Sequence, residues 1–159
     1  VLPCDLLLGA SCGFTGSRHG ITAFQRAALM SVLWDVKPLE AHYGDCAGAD
    51  YEFFMICKAL RVRTVSHPGD DERWRMFTLA DVLRDPKPNL DRNRDIVAEC
   101  DYLIACPGQE TMILRSGTWA TVRHARSAGR TTLLILPSGR VDVQRVDLLS
   151  WKSSSCPRT

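Results

Sequence analysis

The stretch that most constrains the fold is residues 102–118. The apolar run Tyr102-Leu103-Ile104-Ala105-Cys106 is stopped by Pro107-Gly108, and Arg115-Ser116-Gly117-Thr118 then opens a helical pattern that ends near Gly129. That order is a buried strand, a small-residue loop and a helix start. Gly117 lets the backbone come close to a ligand. The first N–H groups of the helix have no intrahelical partner, and with the Ser116 and Thr118 hydroxyls they make an anion site. Arg115 adds a planar fork of donors suited to phosphate. Taken alone, the same residues also serve a plain strand-to-helix turn capped by Ser or Thr.

Two loops of the same kind lie upstream. A first strand over 11–15 runs into Gly16-Ser17-Arg18-His19-Gly20. Thr22 and Gln25 then form a capping box for a helix reaching about Asp35, with Leu29, Val32, Leu33 and Val36 on its apolar face and Lys37-Pro38 as its stop. A second strand over 41–44 leads into Asp45-Cys46-Ala47-Gly48-Ala49-Asp50 and a helix to about Leu60, with Phe53, Ile56, Cys57 and Leu60 buried. A third strand over 63–67 ends at Pro68-Gly69. Strands alternating with helices through short loops predict a parallel sheet with covering helices.

Residues 71–83 read as a surface helix carrying Trp74, Phe77, Leu79 and Val82, and the prolines of 85–89 make a loop. A helix over 91–99, the fourth strand at 102–106, a helix with Val122 and Ala125 inward and a fifth strand over 131–136 complete the pattern. Residues 142–149 read as a last strand or helix, and Ser153-Ser154-Ser155-Cys156-Pro157 as a loose tail. The expected fold is a Rossmann-like three-layer α/β/α domain over 1–140 with a C-terminal extension over 141–159. Its sheet has about five mainly parallel strands, the first and fourth adjacent at the switch point.

Composition narrows the function. A net charge of +2 over 159 residues does not imply a nucleic-acid partner. No apolar run approaches the ~20 residues of a membrane span, and residues 1–8 lack the charged start of a signal peptide. The seven cysteines are widely spaced, with no C-x-x-C. Reduced thiols and a cytoplasmic setting are therefore expected, with no zinc site and no disulfide framework.

Ligands of open parallel sheets bind beyond the carboxyl ends of the strands. There the chain places Thr15, Gly16, Ser17 and Arg18, then Gly44, Asp45, Gly48 and Asp50, then His67 with Pro68, and finally Pro107, Gly108, Arg115, Ser116, Gly117 and Thr118. This convergence predicts a nucleotide or phosphate site. Asp45 and Asp50 also read as caps of the second helix, and Asp50 alternatively as the partner of a ribose hydroxyl. His67 also reads as a satisfied strand-end histidine. His19, His42 and His124 have no metal-like spacing, so no metal is expected. Trp119 reads as core. Arg92 and Arg94 are two apart on a helix, so only one of them faces the site.

In that order, Phe14-Thr15-Gly16-Ser17-Arg18, Gly44-Asp45-Cys46-Ala47-Gly48-Ala49-Asp50, His67-Pro68, Arg92-Asn93-Arg94 and Arg115-Ser116-Gly117-Thr118 resemble the SLOG superfamily of Rossmann-like domains (SMF/DprA and LOG). The resemblance spans about residues 12–139 and is closest to the bacterial and phage YspA/YpsA-related branch. Gly16-Ser17-Arg18, Ala47-Gly48-Ala49-Asp50 and Arg92-Asn93-Arg94 look like the DprA motifs of a single-stranded DNA-binding protein. Gly117-Thr118 match the Gly-Thr of the LOG motif Pro-Gly-Gly-x-Gly-Thr-x-x-Glu, which belongs to a phosphoribohydrolase acting on nucleoside monophosphates. Arg115 and Ser116 replace the paired glycines, and Thr121 stands where that family has its glutamate.

Cleavage of an N-glycosidic bond builds positive charge on the sugar, which a carboxylate must stabilise, or it must activate water. Thr121 does neither, which leaves Asp45, Asp50 and Glu110 as the catalytic candidates. The resemblance therefore implies a homodimeric protein that binds or senses a nucleotide, a phosphorylated ribose or an ADP-ribose-like derivative, with no certain cofactor. The alternatives are a nucleotide-processing hydrolase of the phosphoribohydrolase type and a DprA-like binder of single-stranded DNA.

Overall fold

The computed structural model describes residues 7–145. Most of the 1–8 stretch, the end of the 142–149 segment and the tail around Ser153 lie outside the described residues. The elements are β1 (Cys12–Gly16), α1 (Ala23–Val36), β2 (Glu40–Tyr43), α2 (Ala49–Ala59), β3 (Arg63–Ser66), a 3-10 turn (Glu72–Trp74), β4 (Val82–Leu83), α3 (Asn89–Glu99), β5 (Tyr102–Cys106), α4 (Gly117–Ser127), β6 (Thr131–Ile135) and β7 (Val141–Gln144). They form one seven-stranded sheet in the order β4-β3-β2-β1-β5-β6-β7. β7 pairs antiparallel with β6, and every other neighbouring pair is parallel. The sheet has two strands more than the five expected, and the additions are its two edges, β4 and β7.

Alternation along the strands puts helices on both faces. In β5, Tyr102, Ile104 and Cys106 join the core under α1 and α2 with Leu29, Leu33, Phe53 and Cys57. The intervening Leu103 and Ala105 pack with Val97, Trp119, Val122 and Ala125 under α3 and α4. A strand buried on both faces has no polar side, which is why β5 reads as an unbroken apolar run. Each large aliphatic or aromatic side chain buried this way contributes roughly 1.5–3 kcal/mol. Trp119 is buried in this core, in agreement with the sequence pattern.

α1 starts with the expected capping box. The Thr22 hydroxyl accepts from Gln25 N and the Gln25 side chain accepts from Thr22 N, each at 3.0 Å. Gln25 is itself buried, and its Nε2 donates to Pro107 O at 2.8 Å and Ile135 O at 2.9 Å. The cap thus ties α1 to the carboxyl ends of β5 and β6.

Residues 71–83 are not a helix. They form the single 3-10 turn, an extended passage and the two-residue β4. The apolar side chains that suggest a helix have no core to face, since Trp74, Phe77 and Leu79 are all exposed. Polar anchors order the segment instead. The Thr78 N–H and hydroxyl donate to Asp45 Oδ1 at 3.0 and 2.6 Å, and the Thr64 N–H and hydroxyl each donate to Asp81 Oδ2 at 2.8 Å.

Candidate functional site

β1 and β5 lie side by side with their chain directions parallel, and the sheet order reverses between them. The loops leaving their carboxyl ends must diverge, and a cleft opens between them. It has a volume of about 430 Å³ and opens to solvent. One wall is the loop after β1 with Thr15, Gly16, Ser17 and Arg18; the other carries Gly108, Arg115, Ser116, Gly117 and Thr118; Gly44, Asp50 and Arg92 also line it.

The loop after β1 is held by backbone. Ser17 N donates to Cys106 O at 3.1 Å, and Ala49 N donates to Ser17 O at 2.9 Å. Gly16 is required by packing, because a Cβ there would stand 2.4 Å from the Ala49 Cβ. Gly48 is required by conformation and by space. Its φ is +87°, and a Cβ would meet Arg18 O at 2.2 Å. Arg18 lies over the Trp74 ring at 4.9 Å, so the exposed 3-10 turn orients an arginine at the rim.

Gly117 differs from these glycines. It is the first residue of α4, whose N-cap Ser116 accepts from Trp119 N at 3.3 Å, and beyond its chain neighbours and the helix's own backbone no described heavy atom lies within 4 Å of where its Cβ would stand. The helix start is therefore bare backbone facing the cleft. Arg115 beside it is exposed, with no hydrogen bond or ion pair from its guanidinium among the described residues. Arg123 donates to Ile113 O at 3.3 Å and Leu114 O at 3.2 Å, bracing the loop that carries Arg115.

Arg92 behaves otherwise. It is 5% exposed, and its guanidinium donates to Gly44 O, to His67 O at 3.2 Å, to Asn89 Oδ1 at 3.1 Å and to Cys46 Sγ at 3.4 Å. It lies directly on Gly44, where any side chain would collide with it. Arg92 is thus a charged strut joining the loops after β2 and β3. Asp50 abuts the same glycine and accepts from Cys46 N at 3.1 Å. Burial pushes its carboxyl up to about 6, against the opposing pull of Arg92.

Six of the residues expected at the site stand elsewhere. The Asp45 carboxylate is buried against Thr78 and takes Arg75 Nε at 3.3 Å. Glu110 accepts from Ser138 N at 2.7 Å. Arg94 is exposed and pairs with Asp91 at 3.3 Å. Gly48 lies behind the Arg18 backbone, and Pro107 O takes the Gln25 amide. The His67 ring turns onto His42, with Nε2 2.9 Å from His42 Nδ1, and burial beside that second ring pushes its pKa down to about 4. Neither Asp45 nor Asp50 caps α2, whose N-cap is Gly48 without a side-chain bond.

The structure also brings in Asn93, which the sequence names only as part of the Arg92-Asn93-Arg94 motif, and residues that the sequence does not place at the site, chiefly Asn89, Ile96 and Gln109. Asn89, Arg92, Asn93 and Ile96 follow the i, i+3, i+4, i+7 rule, so one face of α3 looks into the cleft. That signal is present in the sequence, but a helix started at Asp91 cuts it off.

Thr121, at the position of the LOG glutamate, is buried, and its hydroxyl donates to Gly117 O at 2.9 Å. Among the three acids that are catalytic candidates, Asp50 alone lines the cleft.

No protein-family model matches the chain, and no curated protein sequence matches it. Solved structures do. The chain is similar to the molybdenum cofactor binding protein of Rippkaea orientalis, at 17% identity and TM-score 0.62, covering 92% of this chain and 82% of that one. It is similar to TM1055, a structural-genomics target, at 12% identity and TM-score 0.58, covering 79% and 74%. It is also similar to DNA processing protein A (DprA) of Streptococcus pneumoniae, at 20% identity and TM-score 0.62, covering 82% of this chain and 51% of that one. At these identities the likeness is one of fold, and it agrees with a Rossmann-like α/β domain.

Proposed function

We propose that the chain binds a phosphorylated ribonucleoside or an ADP-ribose-like derivative in the cleft between β1 and β5. The observation that carries this reading is Gly117. A helix start with an empty Cβ position, a capping Ser116 and beside it an arginine unpaired among the described residues offers N–H donors and charge to an anion. Arg18, stacked on Trp74, stands at the opposite rim. Arg92 spends its two terminal nitrogens on protein acceptors, so its main share is a fixed positive field. The likeness to a cofactor-binding protein and to a DNA-processing protein supports a ligand-binding use of this fold. A homodimer and a cytoplasmic setting belong to the same reading, the second supported by five free cysteines among the described residues.

Isothermal titration with a panel of nucleoside mono- and diphosphates and ADP-ribose tests the proposal. Arg115→Ala is expected to weaken binding by about 1.5–3 kcal/mol, the range for one charge-assisted hydrogen bond. No binding by the unmodified protein to any member of the panel would refute the reading. Salt-sensitive binding of single-stranded DNA in its place would favour the DprA-like alternative.

A second reading has one observation in its favour. Asp50 is a buried carboxyl on the cleft wall, pushed up to about 6, a value suited to a general acid near neutral pH. If the cleft hydrolyses its ligand, Asp50 carries the chemistry. Release of free base from nucleoside monophosphates, abolished in Asp50→Asn, would establish it, and no release by the unmodified protein would remove it.

A further inference from the structure

Apart from the donors that face the cleft, three side chains from separate elements converge. His42 comes from β2, His67 from the end of β3 and Glu99 from the last turn of α3. Their ligating atoms all lie within 4.8 Å of one another. His42 Nδ1 stands 2.9 Å from His67 Nε2 and 3.7 Å from Glu99 Oε2. Both rings are almost fully buried, whereas the Glu99 side chain is 35% exposed and opens the cluster to solvent.

We propose that His42, His67 and Glu99 bind a divalent transition-metal ion of zinc's class. Two imidazoles and a carboxylate are the donor set that such ions take, with a fourth position left for water. Bonds of about 2.0–2.1 Å at the tetrahedral angle separate ligand atoms by about 3.3 Å. The observed 2.9 and 3.7 Å bracket that value, and the third separation, within 4.8 Å, closes by rotation of the partly exposed Glu99 side chain.

The neighbours set the tautomers. Glu40 Oε1 lies 3.0 Å from His42 Nε2 without a directed hydrogen bond, and its negative charge favours the ring proton at Nε2, which leaves Nδ1 with its lone pair towards the cluster. His67 Nε2–H then faces that lone pair. An ion entering between the rings replaces this shared proton, which moves to His67 Nδ1, so both rings stay neutral and no net proton is released. Arg84 opposes the ion, because its Nη2 is 2.8 Å from the same Glu99 oxygen. That competition makes a distinctive prediction.

The test is titration of the full, metal-stripped chain with Zn2+ by calorimetry and with Co2+ by absorption spectroscopy. Saturable binding is expected, with a cobalt d–d spectrum free of thiolate charge transfer. His67→Ala should abolish it. Since a buried histidine is removed there, the surface variants decide if that protein does not fold. Glu99→Gln should weaken binding at least about tenfold, and Arg84→Gln should strengthen it. No saturable binding, a thiolate charge-transfer band, or affinity unchanged in Glu99→Gln would overturn the proposal.

Discussion

Gly117 separates binding from folding better than any other position in the cleft. Its φ is not in the left-handed region, and a Cβ there meets no described atom within 4 Å beyond its chain neighbours and the helix's own backbone. The folded protein therefore accepts Gly117→Ala without collision. The unfolded chain loses backbone freedom, so stability should rise by about 0.4–1 kcal/mol. For a chain of this size that is a Tm increase of about 1–4 °C.

The added methyl stands where a phosphate would approach the bare helix start. Losing one charge-assisted N–H bond costs about 1.5–3 kcal/mol, which is roughly a 10- to 150-fold weaker nucleotide affinity. Gly117→Leu extends the obstruction and should weaken binding at least as much. Thermal unfolding and calorimetry on the same preparations read both effects. Unchanged affinity in both variants would refute the placement of the anion at this helix. A drop in Tm for Gly117→Ala would refute the openness from which the argument starts.

The neighbouring glycine and the buried acid give contrasting expectations. Gly16→Ala should lower stability by about 1–3 kcal/mol through overpacking, because its Cβ meets Ala49 at 2.4 Å; denaturant titration that finds no change would sink the packing argument. Asp50 titrates near 6 in the fold against 3.8 for an unperturbed aspartate, so the folded state holds an extra proton between those values. Stability from this group is present below about pH 4 and is lost as pH rises through about 6, by about 3 kcal/mol. Asp50→Asn should flatten that slope, and parallel pH–stability curves for the two proteins would contradict the shift.

The sequence was most legible where a single element decides the outcome. β5 is buried on both faces and its apolar run has the strand's bounds, Tyr102–Cys106. The start of α1 is set by a cap that spans three residues. The adjacency of β1 and β5 follows from the crossover logic of parallel sheets. Residues 71–83 defied such reasoning because Asp45 and Thr64 order them from afar, and no local period records a hydrogen bond across 33 residues. The start of α3 was hidden by Pro88, which takes the N-cap position without a side-chain bond.

The acids show why site chemistry is harder to read than site location. Asp45, Asp50 and Glu110 are alike in the sequence, each near a small-residue loop at a strand's carboxyl end. What separates them is the set of donors each one meets. Asp45 takes two donors from Thr78 and one from Arg75, so its charge is spent holding the 70–80 segment. Glu110 holds the turn after β6 through Ser138. Asp50 has the Cys46 N–H and the nearby Arg92, and burial outweighs both. A carboxylate saturated by protein donors braces the fold, whereas one that burial leaves undersupplied retains chemistry to offer a ligand. The arginines divide by a similar rule: the two terminal nitrogens of Arg92 are taken by protein acceptors and it acts as a strut, while Arg115 has its donors free among the described residues and is the one placed to hold an anion.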